Sequence, residues 1–314
     1  MRLYYSFITG IAGWLGVSFY EHIAEEFRTV ETGPTVIRKG VILVILFLSW
    51  GINQILNDFL GLKEDRINAP NRPMVTGELN PFTALSISGI LIAFTCIITW
   101  LYLEPLAIIP LTIGIILNIV YEYAKGFGII ANILFGLMIT MCAAFGFLAA
   151  GPSGPPYFTS SRVSVLTVVW IMNGLMTFYT YFKDVRGDRE AGKQTVVVKY
   201  GLEKSRVMAI LLSFLPSALF TVFYASGMIE APLNRVFIIL GILTVFLEIW
   251  TGFLYYKNPE GRMTYYSLAV NFRACTCGQA TFIALFNKEL ALILFIVSYV
   301  FVGFLFNLHT NYKA

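Results

Sequence analysis

The chain is predicted to be an all-α integral membrane protein, a polytopic bundle of transmembrane helices. Of its 314 residues, 57% are hydrophobic and only 13% are charged, whereas about 25% of the residues in a soluble domain are charged. The mean hydropathy is +0.74. The apolar residues form continuous runs, not the alternating pattern of a membrane β-barrel. Because a backbone in lipid must satisfy its own hydrogen bonds, these runs favour helices.

Nine apolar runs approach the ~20 residues that a spanning helix needs. They cover residues 3–20, 36–57, 84–103, 105–121, 129–150, 163–182, 206–227, 235–256 and 289–308. A tenth stretch, 264–286, has a middle too polar to face lipid. It is either a helix buried in the bundle or one lying at the membrane interface. No shift in composition marks a boundary, so residues 1–314 are predicted to form one domain around a central cavity.

The basic residues are distributed unevenly between the loops. If the first run begins on the inner side, the inner loops hold fourteen Lys and Arg residues, and the opposite loops up to residue 235 hold five. The positive-inside rule then places the inner loops in the cytoplasm. This bias explains the net charge of +4, which therefore gives no support to nucleic-acid binding. Membrane lipid is the expected surrounding, and no obligate protein partner is evident.

Two acidic patches follow apolar runs on the predicted cytoplasmic side. The first patch contains Asn57, Asp58, Asp65 and Arg72, and the second patch contains Lys183, Asp184 and Asp188. Carboxylates next to a bilayer are costly and are usually kept there for a function. Residues four apart on a helix nearly share one face. Asp184 and Asp188 therefore share a face if the helix continues through Gly187, as do residues 57, 61 and 65 if a helix continues there.

Oxygen ligands in such clusters suit Mg²⁺, which also keeps water or substrate phosphates in its coordination shell. The predicted metal ligands are Asn57, Asp58, Asp65, Asp184 and Asp188, and the four aspartates are also the candidate catalytic residues. The predicted diphosphate-binding residues are Asn53, Arg66, Arg72, Lys125, Lys183 and Lys193. For one aspartate alone, solvation among lipid headgroups is the better interpretation. Two paired clusters on one side of the membrane favour a binding site.

These motifs resemble those of the UbiA superfamily of intramembrane prenyltransferases. The family pattern NDxxDxxxD, often running on into D-x-I-N-x-P-x-R-P, matches residues 57–73 except at Gly61. The family pattern K-D-x-x-G-D-x-x-x-G-x-x-T matches residues 183–195, and a family Tyr and Lys match Tyr121 and Lys125. The resemblance implies Mg²⁺ as cofactor and transfer of an isoprenyl group from an isoprenyl diphosphate. The implied second substrate is an aromatic or other lipophilic acceptor within the membrane.

Two departures from the family patterns bear on the reaction. Gly61 stands where the family often has Asp, and Thr180 stands where many members carry a further Asp. With a carboxylate missing, a UbiA-type terpene cyclase, which needs no acceptor, is the alternative function. A cation transporter fits less well, because transporters usually place ionisable residues near the bilayer midplane.

Aromatic side chains can stabilise the allylic cation that the implied reaction forms. Four lie near the second patch and are candidates for the wall of the reaction chamber: Trp170, Phe178, Tyr179 and Tyr181. Ordinary helix packing explains them equally well.

Overall fold

The structure is a computed structural model that describes residues 3–23 and 34–311. Within these two ranges the secondary structure is helical, and no strand occurs. Arg2 and Arg28, two of the basic residues that set the charge bias, lie outside the described residues.

The described part of the chain contains thirteen α-helices. In chain order they are α1 (Tyr4–Ile23), α2 (Val36–Leu60), α3 (Leu62–Asn68), α4 (Pro73–Thr76), α5 (Pro81–Tyr102), α6 (Ile108–Ala124), α7 (Ile130–Ala150), α8 (Ser160–Glu190), α9 (Val196–Leu212), α10 (Leu215–Ala225), α11 (Arg235–Lys257), α12 (Met263–Ile283) and α13 (Lys288–Asn311). A short 3-10 helix, Pro105–Ala107, leads directly into α6.

Eight helical segments of the described chain are long and apolar enough to cross a membrane. They are α2, α5, α6 with its 3-10 turn, α7, α8, α9 joined to α10, α11 and α13. The predicted all-α membrane bundle is therefore confirmed. The count of nine spans stays a prediction, because α1 and α12 are not among these eight segments.

Helix α12 contains the polar stretch for which the sequence allowed two alternatives, a helix buried in the bundle or one at the membrane interface. The structure shows the first of the two alternatives, a helix buried in the bundle. Asn271 Nδ2 donates to the carbonyl of Met176 at 2.9 Å, and Gln279 Nε2 lies 3.3 Å from Asn173 Oδ1. Because these amides find partners on the neighbouring helix α8, the polar residues avoid lipid without leaving the bundle.

Helix α7 lies at the centre of the bundle and contacts α1, α6 and α8. Its approach to α1 is close enough to require glycine. A Cβ atom on Gly16 would overlap the carbonyl of Ala143, and one on Gly146 would overlap the carbonyl of Gly13. Small residues of this kind let membrane helices pack with their backbones in contact. The packing fixes α7 beside the helices that carry the acidic patches.

Two helix boundaries differ from the predicted ones where the site is built. The sixth apolar run predicts a helix that ends at residue 182, but α8 continues through Gly187 to Glu190. The seventh run predicts a helix that begins at residue 206, but α9 begins at Val196 and is kinked at Gly201, whose φ is +77°. Hydropathy detects only the apolar part of a helix, so polar helical ends are missed.

Candidate active site

Both acidic patches line one cavity of about 90 Å³. Its polar lining is formed by Gln54, Asn57, Asp58, Asp65, Arg72, Glu122, Lys125, Thr180, Lys183, Asp184 and Asp188. Its aromatic lining is formed by Tyr5, Trp50, Tyr121, Phe135 and Tyr181. The fold thus joins two segments that are far apart in sequence around a common space, as the single central cavity of the prediction requires.

The first patch is assembled from three consecutive helices and the turns between them. Asp58 lies in the last turn of α2, Asp65 lies on α3, and Arg72 is the residue that precedes α4. Arg72 Nη1 donates to Asp58 Oδ1 at 2.8 Å and also to Asp65 Oδ2. Gln54 Nε2 donates to the same oxygen of Asp58 at 2.5 Å. One guanidinium therefore holds both carboxylates of this patch together.

The predicted continuous helix through residues 57, 61 and 65 is not observed. Helix α2 ends at Leu60 and α3 begins at Leu62, with Gly61 in a non-helical conformation between them. The backbone bonds from Gly61 N to Asn57 O and from Asp65 N to Gly61 O still keep the four-residue spacing. The break therefore bends the chain without turning these residues away from the cavity, which Asn57, Gly61 and Asp65 all line.

The second patch lies on one uninterrupted helix. Because α8 continues through Gly187, Asp184 and Asp188 lie one turn apart and both line the cavity. Lys183 Nζ lies 2.5 Å from Asp184 Oδ1 and 2.6 Å from Asp184 Oδ2. Asp188 is buried, with 5% of its surface exposed. Local helix geometry is sufficient to place the two carboxylates of this patch.

Glu122 is a cavity residue that the sequence-based prediction missed. It is 2% exposed, and Lys125 Nζ donates to both of its carboxylate oxygens, at 2.8 and 2.9 Å. Lys193 Nζ donates to the backbone carbonyl of Glu122 at 3.1 Å and lies 3.8 Å from its Oε1. An acidic residue directly beside Tyr121, in the segment that matched a family motif, was the signal available in the sequence.

The side chain of Lys125 keeps its positive charge in this setting. Burial lowers the pKa of the ammonium group, but the carboxylate of Glu122 and the neighbouring Tyr121 more than compensate and hold the pKa well above its ordinary value. A charged lysine beside the cavity is suited to bind an anion.

Three residues predicted to bind diphosphate do not line the cavity. Arg66 is exposed to solvent on α3. Asn53 lies on α2, where its backbone carbonyl accepts a hydrogen bond from Asn118 Nδ2 at 3.3 Å. Lys193 does not line the cavity but contacts Glu122, which does. Arg72, Lys125 and Lys183 are the predicted cations that the fold brings to the cavity.

The aromatic wall differs from the one expected near the second patch. Of the four candidates, only Tyr181 lines the cavity. Tyr179 packs on Tyr255, with ring centroids 5.0 Å apart, Phe178 packs beside Tyr179, and Trp170 donates to the carbonyl of Ile133. Helical periodicity spreads these four residues over several faces of α8, so they cannot all face one space.

The observed wall comes from other helices. Trp50 of α2 stacks on Tyr5 of α1 with centroids 4.1 Å apart and rings almost parallel. Tyr121 of α6 and Phe135 of α7 meet edge to face at 5.3 Å. These rings line the same cavity as the charged residues, and Lys125 Nζ lies 5.3 Å from the centroid of the Tyr121 ring.

The oxygen donors present suit a hard divalent cation. Asn57 Oδ1 is buried and has no hydrogen-bond partner, although it lines the cavity. Among the described residues, no three acidic, histidine or cysteine side chains already converge as a metal site. The reason is visible in the pairing, since Arg72 and Lys183 hold Asp58, Asp65 and Asp184. A metal ion bound here would compete with these cations for the same carboxylates.

A profile of the UbiA prenyltransferase family matches residues 32–268. The chain belongs to this family. It is therefore a prenyltransferase, and the expected superfamily is confirmed. A curated relative, the digeranylgeranylglyceryl phosphate synthase of Sulfolobus acidocaldarius, is 27% identical over 211 residues, which cover 63% of this chain and 73% of the relative.

Two solved structures share the fold. The apo structure of a UbiA homologue from Aeropyrum pernix K1 matches with a TM-score of 0.69 at 15% identity, covering 88% of this chain and 97% of that one. A UbiA homologue from Archaeoglobus fulgidus bound to DMAPP and Mg²⁺ matches with a TM-score of 0.56 at 16% identity, covering 87% and 98%. These similarities support the integral membrane bundle.

Proposed function

We propose that this prenyltransferase moves an isoprenyl group from an isoprenyl diphosphate to a lipophilic acceptor within the membrane, with Mg²⁺ as cofactor. The observation that supports the proposal most directly is the mixed lining of the cavity. Five acidic side chains, three cationic ones and five aromatic rings line it. The charged side chains suit a diphosphate with its metal ion, and the aromatic rings suit an isoprenyl chain.

The metal ion would be held by Asn57, Asp58, Asp65, Asp184 and Asp188, which all line the cavity. When bound, Mg²⁺ neutralises negative charge on the diphosphate and so makes it a better leaving group. The Archaeoglobus fulgidus homologue was solved with both DMAPP and Mg²⁺ bound, which supports Mg²⁺ as the cofactor.

Arg72, Lys125 and Lys183 would bind the diphosphate oxygens, because they are the cationic side chains that line the cavity. Each is paired with a carboxylate in this structure. Arrival of a diphosphate and a divalent cation lets both partners of each pair find a new counter-ion. Each of these charged groups therefore keeps a counter-ion before and after binding, which limits the cost of buried charge.

The proposed reaction follows from the two kinds of side chain that line the cavity, the charged and the aromatic ones. The bond between C1 of the isoprenyl group and the diphosphate oxygen breaks, and its electron pair leaves with the diphosphate. The allylic cation lies against the aromatic wall, where the faces of Trp50 and Tyr121 stabilise it. A nucleophilic atom of the acceptor donates an electron pair to C1, and the proton it loses passes to the released diphosphate. The apolar surroundings exclude water that would otherwise capture the cation.

The acceptor class is part of the proposal. The relative from Sulfolobus acidocaldarius is named for digeranylgeranylglyceryl phosphate, so a prenylated glyceryl phosphate is the first acceptor to test, beside the aromatic acceptors expected from the sequence. The same ionisation without an acceptor would produce a cyclic terpene, the alternative function. We also propose that the cavity opens to the cytoplasm, because the loops around it contain most of the basic residues.

The test is to supply the purified protein in lipid nanodiscs with dimethylallyl, geranyl, farnesyl and geranylgeranyl diphosphate. Each donor is tested with geranylgeranylglyceryl phosphate, with a phenolic acceptor and alone, in Mg²⁺ or in EDTA. We expect Mg²⁺-dependent release of diphosphate together with a prenylated acceptor. Cyclic products from the donor alone would identify a cyclase. Absence of diphosphate release with every donor would contradict the whole proposal.

A further inference from the structure

Gly61 leaves the cavity without a side chain between two of its acidic residues. It lines the cavity at the break between α2 and α3, with Asp58 three residues before it and Asp65 four residues after it. A Cβ atom built on Gly61 would lie 2.9 Å from the backbone carbonyl oxygen of Asn57, 3.4 Å from Glu122 Oε1 and 3.8 Å from Glu122 Cδ. The carboxylate of Glu122, which comes from α6, is therefore within contact distance of a side chain at position 61.

Glu122 forms an ion pair of the same kind as the other paired carboxylates that line the cavity. Asp58 and Asp65 are held by Arg72, Asp184 is held by Lys183, and Glu122 is held by Lys125. In these three cases an acidic side chain that lines the cavity is paired with a basic one that also lines it. The exchange of partners proposed above therefore includes Glu122 and Lys125.

The burial of Glu122 indicates a function for its charge. The side chain is only 3% exposed, and a carboxylate is costly in such a position unless it is paired. If position 122 at the end of α6 had only a structural role, an apolar side chain of similar volume would fill the space at a lower free-energy cost than a buried ion pair. Its Oε1 lies within contact distance of position 61, and the same cavity is lined by Asn57, whose Oδ1 is buried without a hydrogen-bond partner.

We infer that Glu122 is a ligand of the divalent cation in the proposed diphosphate site and supplies from α6 the carboxylate that position 61 lacks. The inference rests on the proposed function and adds one residue to its metal-binding set. On this inference the site does not lack a carboxylate although the first patch has glycine at position 61, because α6 supplies one.

The experiment is a double-mutant cycle on Glu122 and Gly61 in the full-length protein. Mn²⁺ binding is measured by electron paramagnetic resonance in the presence of a thiolo analogue of geranyl diphosphate that does not ionise. Even residues that only support metal ligands change affinity by about 10–100-fold when mutated, so Glu122→Gln is expected to weaken Mn²⁺ binding by about tenfold or more. Adding Gly61→Asp to Glu122→Gln is expected to restore most of that loss.

The single variant Gly61→Asp provides the third corner of the cycle. With Glu122 present, the carboxylate introduced at position 61 lies within contact distance of the negatively charged Glu122. It is therefore expected to bring no gain in Mn²⁺ affinity. An equal gain from Gly61→Asp in both backgrounds would show that the two positions act independently, and this would overturn the inference. Glu248→Gln is the matched control, because Glu248 is a buried carboxylate on α11 that does not line the cavity. Mn²⁺ affinity is expected to be unchanged in this control.

The rival role for Glu122 is to position Lys125 alone. In that case Glu122→Gln would raise the KM for the donor at saturating Mg²⁺ and leave Mn²⁺ affinity unchanged, a result that would also overturn the inference. Should Glu122→Gln fail to fold, Glu122→Asp, which retains the charge but withdraws it by one methylene, is measured in its place. Unchanged Mn²⁺ affinity in Glu122→Asp would likewise count against the inference.

Asp184→Asn separates this inference from the proposed function. If Asp184→Asn abolishes Mn²⁺ binding and Glu122→Gln does not alter it, the metal site is supported and only the role of Glu122 is wrong. If neither variant alters binding, the metal site itself is wrong.

Discussion

The two acidic patches reach the same cavity by different structural means. The second patch lies on one continuous helix, and the spacing of Asp184 and Asp188 is set by the helical turn alone. The first patch is divided over α2, α3 and the residue before α4, and its carboxylates meet because Arg72 contacts both. One patch is therefore rigid by its own backbone, whereas the other depends on a side chain that bridges separate elements.

This difference predicts that the two patches respond differently to substitution. In the second patch, removing a carboxylate should remove function without disturbing the fold, because the helix persists. In the first patch, removing the bridging cation should displace carboxylates that are themselves unchanged. Three sets of variants, whose expected effects decrease from the first to the third, test the distinction.

The largest effect is expected from Asp184→Asn and Asp188→Asn. An amide retains the shape of the side chain but loses the charge that holds the metal ion. Charge stabilisation by a metal is worth several kcal/mol, so turnover is expected to fall by about a hundredfold or more. Release of diphosphate from the donor provides the measurement, and circular dichroism checks that helix content is unchanged. Near-normal turnover in either variant would show that its carboxylate does not bind metal.

A smaller effect is expected from Arg72→Ala, which leaves both carboxylates of the first patch in place but unbridged. A hydrogen bond to a charged group contributes about 1.5–3 kcal/mol, so we expect turnover to fall about tenfold to a hundredfold, with weaker donor binding. The kinetic constants for the donor at saturating Mg²⁺ measure this change.

Arg66→Ala is the matched control for Arg72→Ala. Arg66 lies on α3 close to the same carboxylates in sequence, but its side chain is exposed and does not line the cavity. Its replacement is expected to leave turnover almost unchanged. Equal losses in the two variants would refute the assignment of the bridging role to Arg72.

The smallest of the three effects is expected from Trp50→Leu. Trp50 lies on α2 two turns before the first patch and forms part of the aromatic wall against Tyr5. A cation–π contact is worth about 1–2 kcal/mol, so we expect the ionisation rate to fall by roughly fivefold to thirtyfold, with Mg²⁺ affinity unchanged.

Trp250→Leu serves as the control for Trp50→Leu, since Trp250 lies on α11 outside the cavity lining and stacks on Phe253. Single-turnover measurements with both variants separate the chemical step from donor binding. A loss of Mg²⁺ affinity in Trp50→Leu would indicate that the aromatic wall and the first patch are not separate parts of the site.

The sequence predicted those features of the fold and the site that depend on interactions between residues close together in the chain. Apolar runs of sufficient length predicted the helical membrane bundle, because lipid leaves the backbone no other partners. The four-residue spacing of Asp184 and Asp188 predicted their shared face, because a helical turn is the same wherever it occurs. The motifs around residues 57–73 and 183–195 predicted the family, which the match over residues 32–268 confirms.

The tertiary structure decided which residues of different helices meet. It placed Glu122 against Gly61 and built the aromatic wall from Tyr5, Trp50 and Phe135. It also placed Arg72, and not Arg66, at the cavity. These contacts depend on the angles and distances between packed helices, and hydropathy and periodicity contain no information about either. The sequence alone determined the helices and the acidic residues at their ends, and the packing of those helices determined which side chains share one cavity.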